Sequence, residues 1–223
     1  MNEKLFDYIA VCPTAFHTCS HSADMLRESG YTELCEAQRW KIVPGGKYFV
    51  TRNGSSLIAF RVPAGEIAGF MMTAAHGDSP AFKIKENAEL SDGNYLRLSV
   101  EKYGGMLCAP WLDRPLSVAG RVLVSEGDKL SVKLVDLKDP CAIIPNVAIH
   151  MNRNANDGMS YNAAVDMLPV WMSSEKGSFR AAVAKAAGVA EDAIVTGDLF
   201  LYDPQKGVTL GEYISAPRLD DLQ

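Results

Sequence analysis

The imidazole inventory of the chain is four histidines, His17, His21, His76 and His150. His76 opens the run His76-Gly77-Asp78-Ser79-Pro80, directly after an apolar stretch over residues 67–75. A histidine leaving a buried strand, with a carboxylate two residues later, is a common way to build a metal ligand together with the acid that orients its ring. The chemistry this points to is metal-assisted hydrolysis. The same spacing also fits a histidine satisfied at a strand end, with Asp78 capping the turn that follows. A catalytic zinc takes about three protein ligands and keeps a position open for water. Asp220 offers another carboxylate, but nothing in its spacing brings it to His76.

The other candidates are weaker. His17 and His21 lie four apart in a predicted helix over 15–29, a spacing that can chelate one metal on one face. A helix-surface or packing role is the simpler reading, because Thr18 stands where a metalloprotease helix carries glutamate. His150, in a predicted strand over 147–151, reads as structural on its own. Trp111-Leu112-Asp113-Arg114-Pro115 reads as a turn held by an Asp113–Arg114 pair. Cys12, Cys19, Cys35, Cys108 and Cys141 are odd in number and show no CxxC spacing, which argues against a disulfide framework or a structural zinc. They read as small buried hydrophobes. No glycine-rich phosphate loop or GxSxG elbow is present, so phosphoryl transfer and serine hydrolysis lose support.

The elements that must position these residues follow from pattern. Helices are predicted over 5–11 and 15–29, divided by Cys12-Pro13-Thr14, with Thr14 as N-cap and Gly30 as stop. Strands over 47–51 and 56–61 flank Asn53-Gly54, a strong hairpin signal. The continuously apolar run 67–75 predicts a central strand buried on both faces, with His76 at its carboxyl end, where α/β sheets collect their chemistry. From about residue 90 the pattern changes to short alternating strands over 95–100, 117–124, 129–137 and 147–151. A helix over 178–187 follows, stopped by Gly188, and then a strand over 198–203. The 223 residues are 48% hydrophobic and 22% charged, with a net charge of -5, so a packed core is expected and nucleic acid is an unsuitable partner. The N-terminus lacks the pattern of a secretory signal, and no run is long enough to span a membrane, so a cytoplasmic location is expected. The final Leu219-Asp220-Asp221-Leu222 looks like the first turn of a helix without its body, which suggests a fragment.

Several segments together resemble one family, the aspartyl aminopeptidases, which are cytosolic di-zinc exopeptidases. They are Cys12-Pro13-Thr14-Ala15-Phe16-His17, Pro44-Gly45-Gly46-Lys47-Tyr48-Phe49-Val50-Thr51-Arg52-Asn53-Gly54-Ser55-Ser56, Ala75-His76-Gly77-Asp78-Ser79-Pro80, Tyr103-Gly104-Gly105, Trp111-Leu112-Asp113-Arg114-Pro115-Leu116-Ser117, Ile144-Pro145-Asn146-Val147-Ala148-Ile149-His150 and Pro217-Arg218-Leu219-Asp220-Asp221-Leu222. The resemblance covers the chain from end to end, in family order. It implies an α/β fold: an incomplete di-zinc aminopeptidase-type catalytic domain over 1–89, continued over 197–223, with a mostly-β lid and oligomerisation domain inserted over 90–196. It further implies His76 as a zinc ligand, Asp78 as its orienting partner and Asp220 as the carboxylate bridging two zincs, with cobalt or manganese as alternative metals. His150 resembles a histidine that reaches into a neighbouring subunit's site to stabilise the tetrahedral intermediate. Gly77 stands where the family commonly has threonine, with little consequence expected. The family's general-base glutamate and remaining ligands have no counterpart before Gln223. The implied function is removal of N-terminal, acidic residues from peptides by a homo-oligomer, a dodecamer when intact, with this chain as an N-terminal part inactive by itself. The alternative is a catalytically inactive truncated product that keeps an assembly module.

Overall fold

Phe6 and Ile9 in helix α1 (Asn2–Val11), and Phe16, Cys19 and Ala23 in helix α2 (Ala15–Glu28), are the buried residues of their helices. Their spacing of three and four makes one apolar stripe per helix. Pro13 separates the two helices, and Gly30 just beyond α2 takes the left-handed conformation with φ +77°. Strand β1 (Thr32–Leu34) runs parallel to β2 (Lys47–Arg52), which pairs antiparallel with β3 (Ser56–Arg61). Asn53 and Gly54 join β2 to β3 with φ of 54° and 63°, the positive values such a tight turn requires. Phe49 of β2 is fully buried, and the Arg27 guanidinium lies 5.4 Å from its ring centroid.

These elements belong to the first of two compact units, Met1–Ser79 with Leu219–Gln223, in a computed structural model that describes residues 2–91, 93–171 and 178–219. The run 67–75 corrects the sequence expectation. It forms no strand, and Phe70, Met71 and Met72 are 87%, 103% and 88% exposed. A strand buried on both faces needs a neighbour along each edge and cover above and below. The described sheet of this unit holds β1, β2 and β3 alone and offers it neither.

The second unit, Pro80–Arg218, is an antiparallel sheet with one α-helix among its described residues. Its strands are β4 (Ala81–Ser91), β5 (Leu96–Tyr103), β6 (Ser117–Glu126), β7 (Lys129–Asp136), β8 (Ala142–Ile143) and β9 (Val170–Trp171), then helix α3 (Phe179–Ala187) and β10 (Ile194–Tyr202). The sheet order is β7-β6-β10-β4-β5-β9-β8. A small separate hairpin, β11 (Val208–Leu210) with β12 (Tyr213–Ser215), follows. The core is built from Phe82, Leu98, Leu116, Val118, Val122, Val124, Ile144, Met167 and Leu201. Helix α3 starts where the Ser178 hydroxyl accepts from the Ala181 amide and stops at Gly188 with φ +68°. Gly120 lets β10 approach β6 closely, because a Cβ there would collide with the Asp198 carbonyl.

The expected boundaries at 89/90 and 196/197 would cut through β4 and β10, which are central strands of one sheet. The units divide instead at 79/80 and 218/219. Residues 147–151 are also not a strand: Ile149 and His150 lie in a turn closed by the Met151 amide on the Ala148 carbonyl at 2.8 Å. Among the described residues no helix is long and apolar enough to cross a membrane.

Candidate metal centre

His76 lies in extended, irregular chain of the first unit and is partly buried. Its Nδ1 donates to the main-chain carbonyl of Asp78 at 2.8 Å, while the Asp78 carboxylate Oδ1 stands 3.4 Å from the same nitrogen. A carbonyl can only accept, so Nδ1 carries the proton and the ring's lone pair is on Nε2. That is the tautomer a metal-ligating histidine needs, fixed by a backbone acceptor in the way such ligands are usually oriented. Gly77 permits this local fold. A Cβ at that position would lie 2.9 Å from Cγ2 of Thr18 on α2, which is closer than two carbons pack. The expectation that a threonine here would matter little did not foresee this neighbour.

His17 and His21 make no chelating pair. The His17 Nδ1 is 2.9 Å from the Thr14 hydroxyl, and the His21 ring packs 5.5 Å from that of Tyr8. Asp220 falls outside the described residues. Among the described residues no group of three or more His, Cys, Asp or Glu converges as a metal site. The donor set at His76 therefore fits zinc in kind, with an imidazole and an adjacent carboxylate, and falls short in number.

In the second unit His150 is exposed in its turn. The segment that carries it is held through Asp113, which takes φ +57°, donates its amide to the Ile144 carbonyl at 2.9 Å and accepts the Asn146 amide at 2.9 Å. Asp113 consequently does not pair with Arg114, contrary to expectation. Arg114 instead reaches the buried Asp203 carboxylate at 2.8 Å. Asp203 was assigned no role in the sequence, where it is the last residue of the strand expected over 198–203. Its main-chain carbonyl accepts from Arg218 Nη1 at 2.5 Å, and the Arg218 guanidinium lies 5.1 Å from the ring of Tyr202. The Tyr202 hydroxyl donates to Asp136 at 2.6 Å; burial and the Asp136 carboxylate beside it push that phenol well above its ordinary range. The cysteines are all thiols. Burial raises the Cys141 thiol to about 11, which keeps it unreactive at neutral pH.

The framework is α/β, and His76 presents an imidazole whose Nδ1 proton is fixed by a backbone acceptor. Residues 8–223 match the family described as aminopeptidase I zinc metalloprotease (M18), and the chain belongs to that family. It is 43% identical, over 99% of its length, to a probable M18 family aminopeptidase 2 of Clostridium novyi, of which it covers 54%. Its fold superposes with a TM-score of 0.92 and 32% identity on a chain of the Ape4 and Nbr1 complex, covering 99% of this chain and 48% of that one. It also superposes with a TM-score of 0.80 and 28% identity on the mApe1 dodecamer of S. cerevisiae, covering 99% of this chain and 52% of that one. The chain thus spans about half the length of the relatives it matches.

Proposed function

We propose that this chain forms part of a zinc aminopeptidase that removes N-terminal residues, acidic ones among them, from peptides and works as a homo-oligomer. The observation that carries the reading is the His76 tautomer, set by Asp78 immediately beyond the apolar run. A second observation supports the part given to Asp220. In the second unit Lys83 stands opposite Phe200, so the start of β4 and the end of β10 lie side by side, and Arg218 packs on Tyr202 at that same end. The unit's entrance and exit therefore converge. His76 precedes the entrance by four residues and Asp220 follows the exit by two, so a metal shared by both is within reach of the chain.

In this reading His76 gives its Nε2 lone pair to the metal, and Asp78 holds the Nδ1 proton so that the ring keeps its orientation. Zinc, when bound, polarises the scissile carbonyl and lowers the pKa of a bound water. His150, exposed on a loop braced by Asp113, acts on the substrate of a neighbouring subunit. The described residues supply fewer donors than a catalytic zinc takes. Turnover accordingly depends on ligands and a general base from the portion of the relatives that this chain does not span.

The test measures bound zinc and the hydrolysis of aspartyl and glutamyl anilides, on the 223-residue chain and on a protein with a relative's full length. The long protein should bind zinc and turn over, H76A should lose both, and the short chain should show neither. Full zinc occupancy in a long H76A protein would reject the ligand assignment. Turnover by the short chain alone would reject the dependence on further ligands.

A further inference from the structure

Strand β7 is an edge of the seven-stranded sheet, hydrogen-bonded to β6 along one side. Leu130, Val132 and Leu134 lie opposite Ser125, Leu123 and Arg121 and so share one face of the sheet. They are 62%, 59% and 39% exposed. On the other face Val135 is fully buried beside Lys129, Ser131 and Lys133, while the outer column reads Leu130, Val132, Leu134 and ends at Asp136. Soluble proteins usually protect such an edge with charge, proline or a bulge. Here the charges Lys129, Lys133 and Asp136 leave three consecutive outer positions, Leu130, Val132 and Leu134, apolar and exposed.

We propose that β7 pairs antiparallel with β7 of a second copy of this chain, across a two-fold axis at Val132, so that the sheet continues into the partner. The proposal rests on the self-association included in the proposed function and assigns it a surface. The register follows from the sequence of the strand. A two-fold axis perpendicular to a sheet keeps each face on its own side, so a residue can oppose only residues an even number of positions away. An axis at Ser131 sets Lys129 against Lys133, and an axis at Lys133 sets that residue against itself. Like charges directly opposite are destabilising. An axis at Leu134 shortens the ladder to residues 132–136 and sets Asp136 against Val132. The axis at Val132 pairs residues 129–135 throughout. It places Leu130 against Leu134, Val132 against Val132, Ser131 against Lys133 and Lys129 against Val135, with no like charges opposed. Every outer pair is then apolar.

The experiment is sedimentation velocity on the 223-residue chain from about 1 to about 200 μM, the weak range expected for interfaces below about 1,200 Å², combined with cysteine cross-linking by diamide. All cross-linking variants carry C35S, because Cys35 is exposed. The parent should dimerise, and V132K, which sets two ammonium groups on the axis, should remain monomeric with an unchanged thermal melt because Val132 is a surface residue. V132C should form a disulfide-linked dimer, since opposed antiparallel residues have Cα atoms about 4.5–5.5 Å apart, within disulfide reach. L130C alone should not cross-link, whereas L130C mixed with L134C should. A parent that stays monomeric overturns the proposal, and so does a dimer that survives V132K or lacks the V132C cross-link, as association through residues 67–75 would. No arm reads peptidase activity, so failure here leaves the peptidase reading intact, and failure of that reading leaves these measurements interpretable.

Discussion

Replacing Gly77 by alanine should destabilise the first unit, and the sign of the effect should reverse when Thr18 is also replaced by alanine. A Cβ at residue 77 lies 2.9 Å from the Thr18 methyl, so one of the two must move by roughly 0.5–1 Å to reach ordinary carbon contact. Rotating Thr18 away breaks the bond from its hydroxyl to the Thr14 carbonyl, 3.2 Å long and worth about 0.5–1.5 kcal/mol net. Moving the loop instead disturbs a packed contact, which costs about 1–3 kcal/mol by the usual scale of overpacking. Against this, alanine restricts the unfolded chain and returns about 0.4–1 kcal/mol, because the residue-77 backbone is not left-handed. The net expectation is a loss of about 1 kcal/mol for G77A. In a T18A background the obstructing methyl is gone, and G77A should become neutral or stabilising by about 0.5 kcal/mol. The perturbation lies in the first unit, so the assay should report on that unit. Pulsed thiol labelling of the buried Cys19 through a urea titration, resolved by peptide mass spectrometry, does so. Equal effects of G77A in both backgrounds would refute the steric account. The prediction bears on function because the loop that would shift carries His76.

Two further outcomes follow from the second unit. Burial alone would raise the Asp198 carboxyl, but hydrogen bonds from Lys83 and Arg121 outweigh it and hold the group below its ordinary value. A depressed folded pKa contributes stability above the unfolded value of about 3.9, lost as pH falls through the lower folded pKa. D198N should therefore lower thermal stability near pH 6 and flatten its decline toward pH 2; parallel pH profiles for variant and parent would exclude the ion pair as the cause. D113A should release the Asn146 amide, seen as faster hydrogen exchange there than in β6, while D113N should retain protection because asparagine tolerates the left-handed backbone and still accepts the bond. Unchanged protection at Asn146 in D113A would mean that another contact holds the loop.

Features set by a few adjacent residues were legible in the sequence. Gly30 and Gly188 end helices, Ser178 caps one and Asn53-Gly54 turns a hairpin, because each requirement is met within one turn of chain. The run 67–75 was misread because its composition records how strongly it can be buried, while strand formation depends on neighbours that the described residues of this unit do not offer. The 147–151 segment was misread for a related reason: its apolar alternation suits a strand, but it closes its own turn from Met151 to Ala148 just after Asn146 is tied to the distant Asp113. At His76 the residue types pointed to a metal ligand with its orienting acid. The principal acceptor on Nδ1 proved to be the Asp78 carbonyl, which depends on how the backbone folds back after Gly77 and not on side-chain spacing.

Asp203 shows how a residue absent from the motif list ties two motifs together. Arg218 takes φ +66°, a conformation that costs a non-glycine residue about 1–3 kcal/mol and persists only where its surroundings over-determine it. Here they do: the guanidinium is fixed by the Asp203 carbonyl and by the face of Tyr202, while the Asp203 carboxylate is engaged by Arg114 and by the Gln205 amide at 2.9 Å. Arg114 of the Trp111–Pro115 segment and Arg218 are thus both anchored to one buried acid. The left-handed Arg218 is held by contacts made within the second unit itself, to the Asp203 carbonyl and the Tyr202 ring.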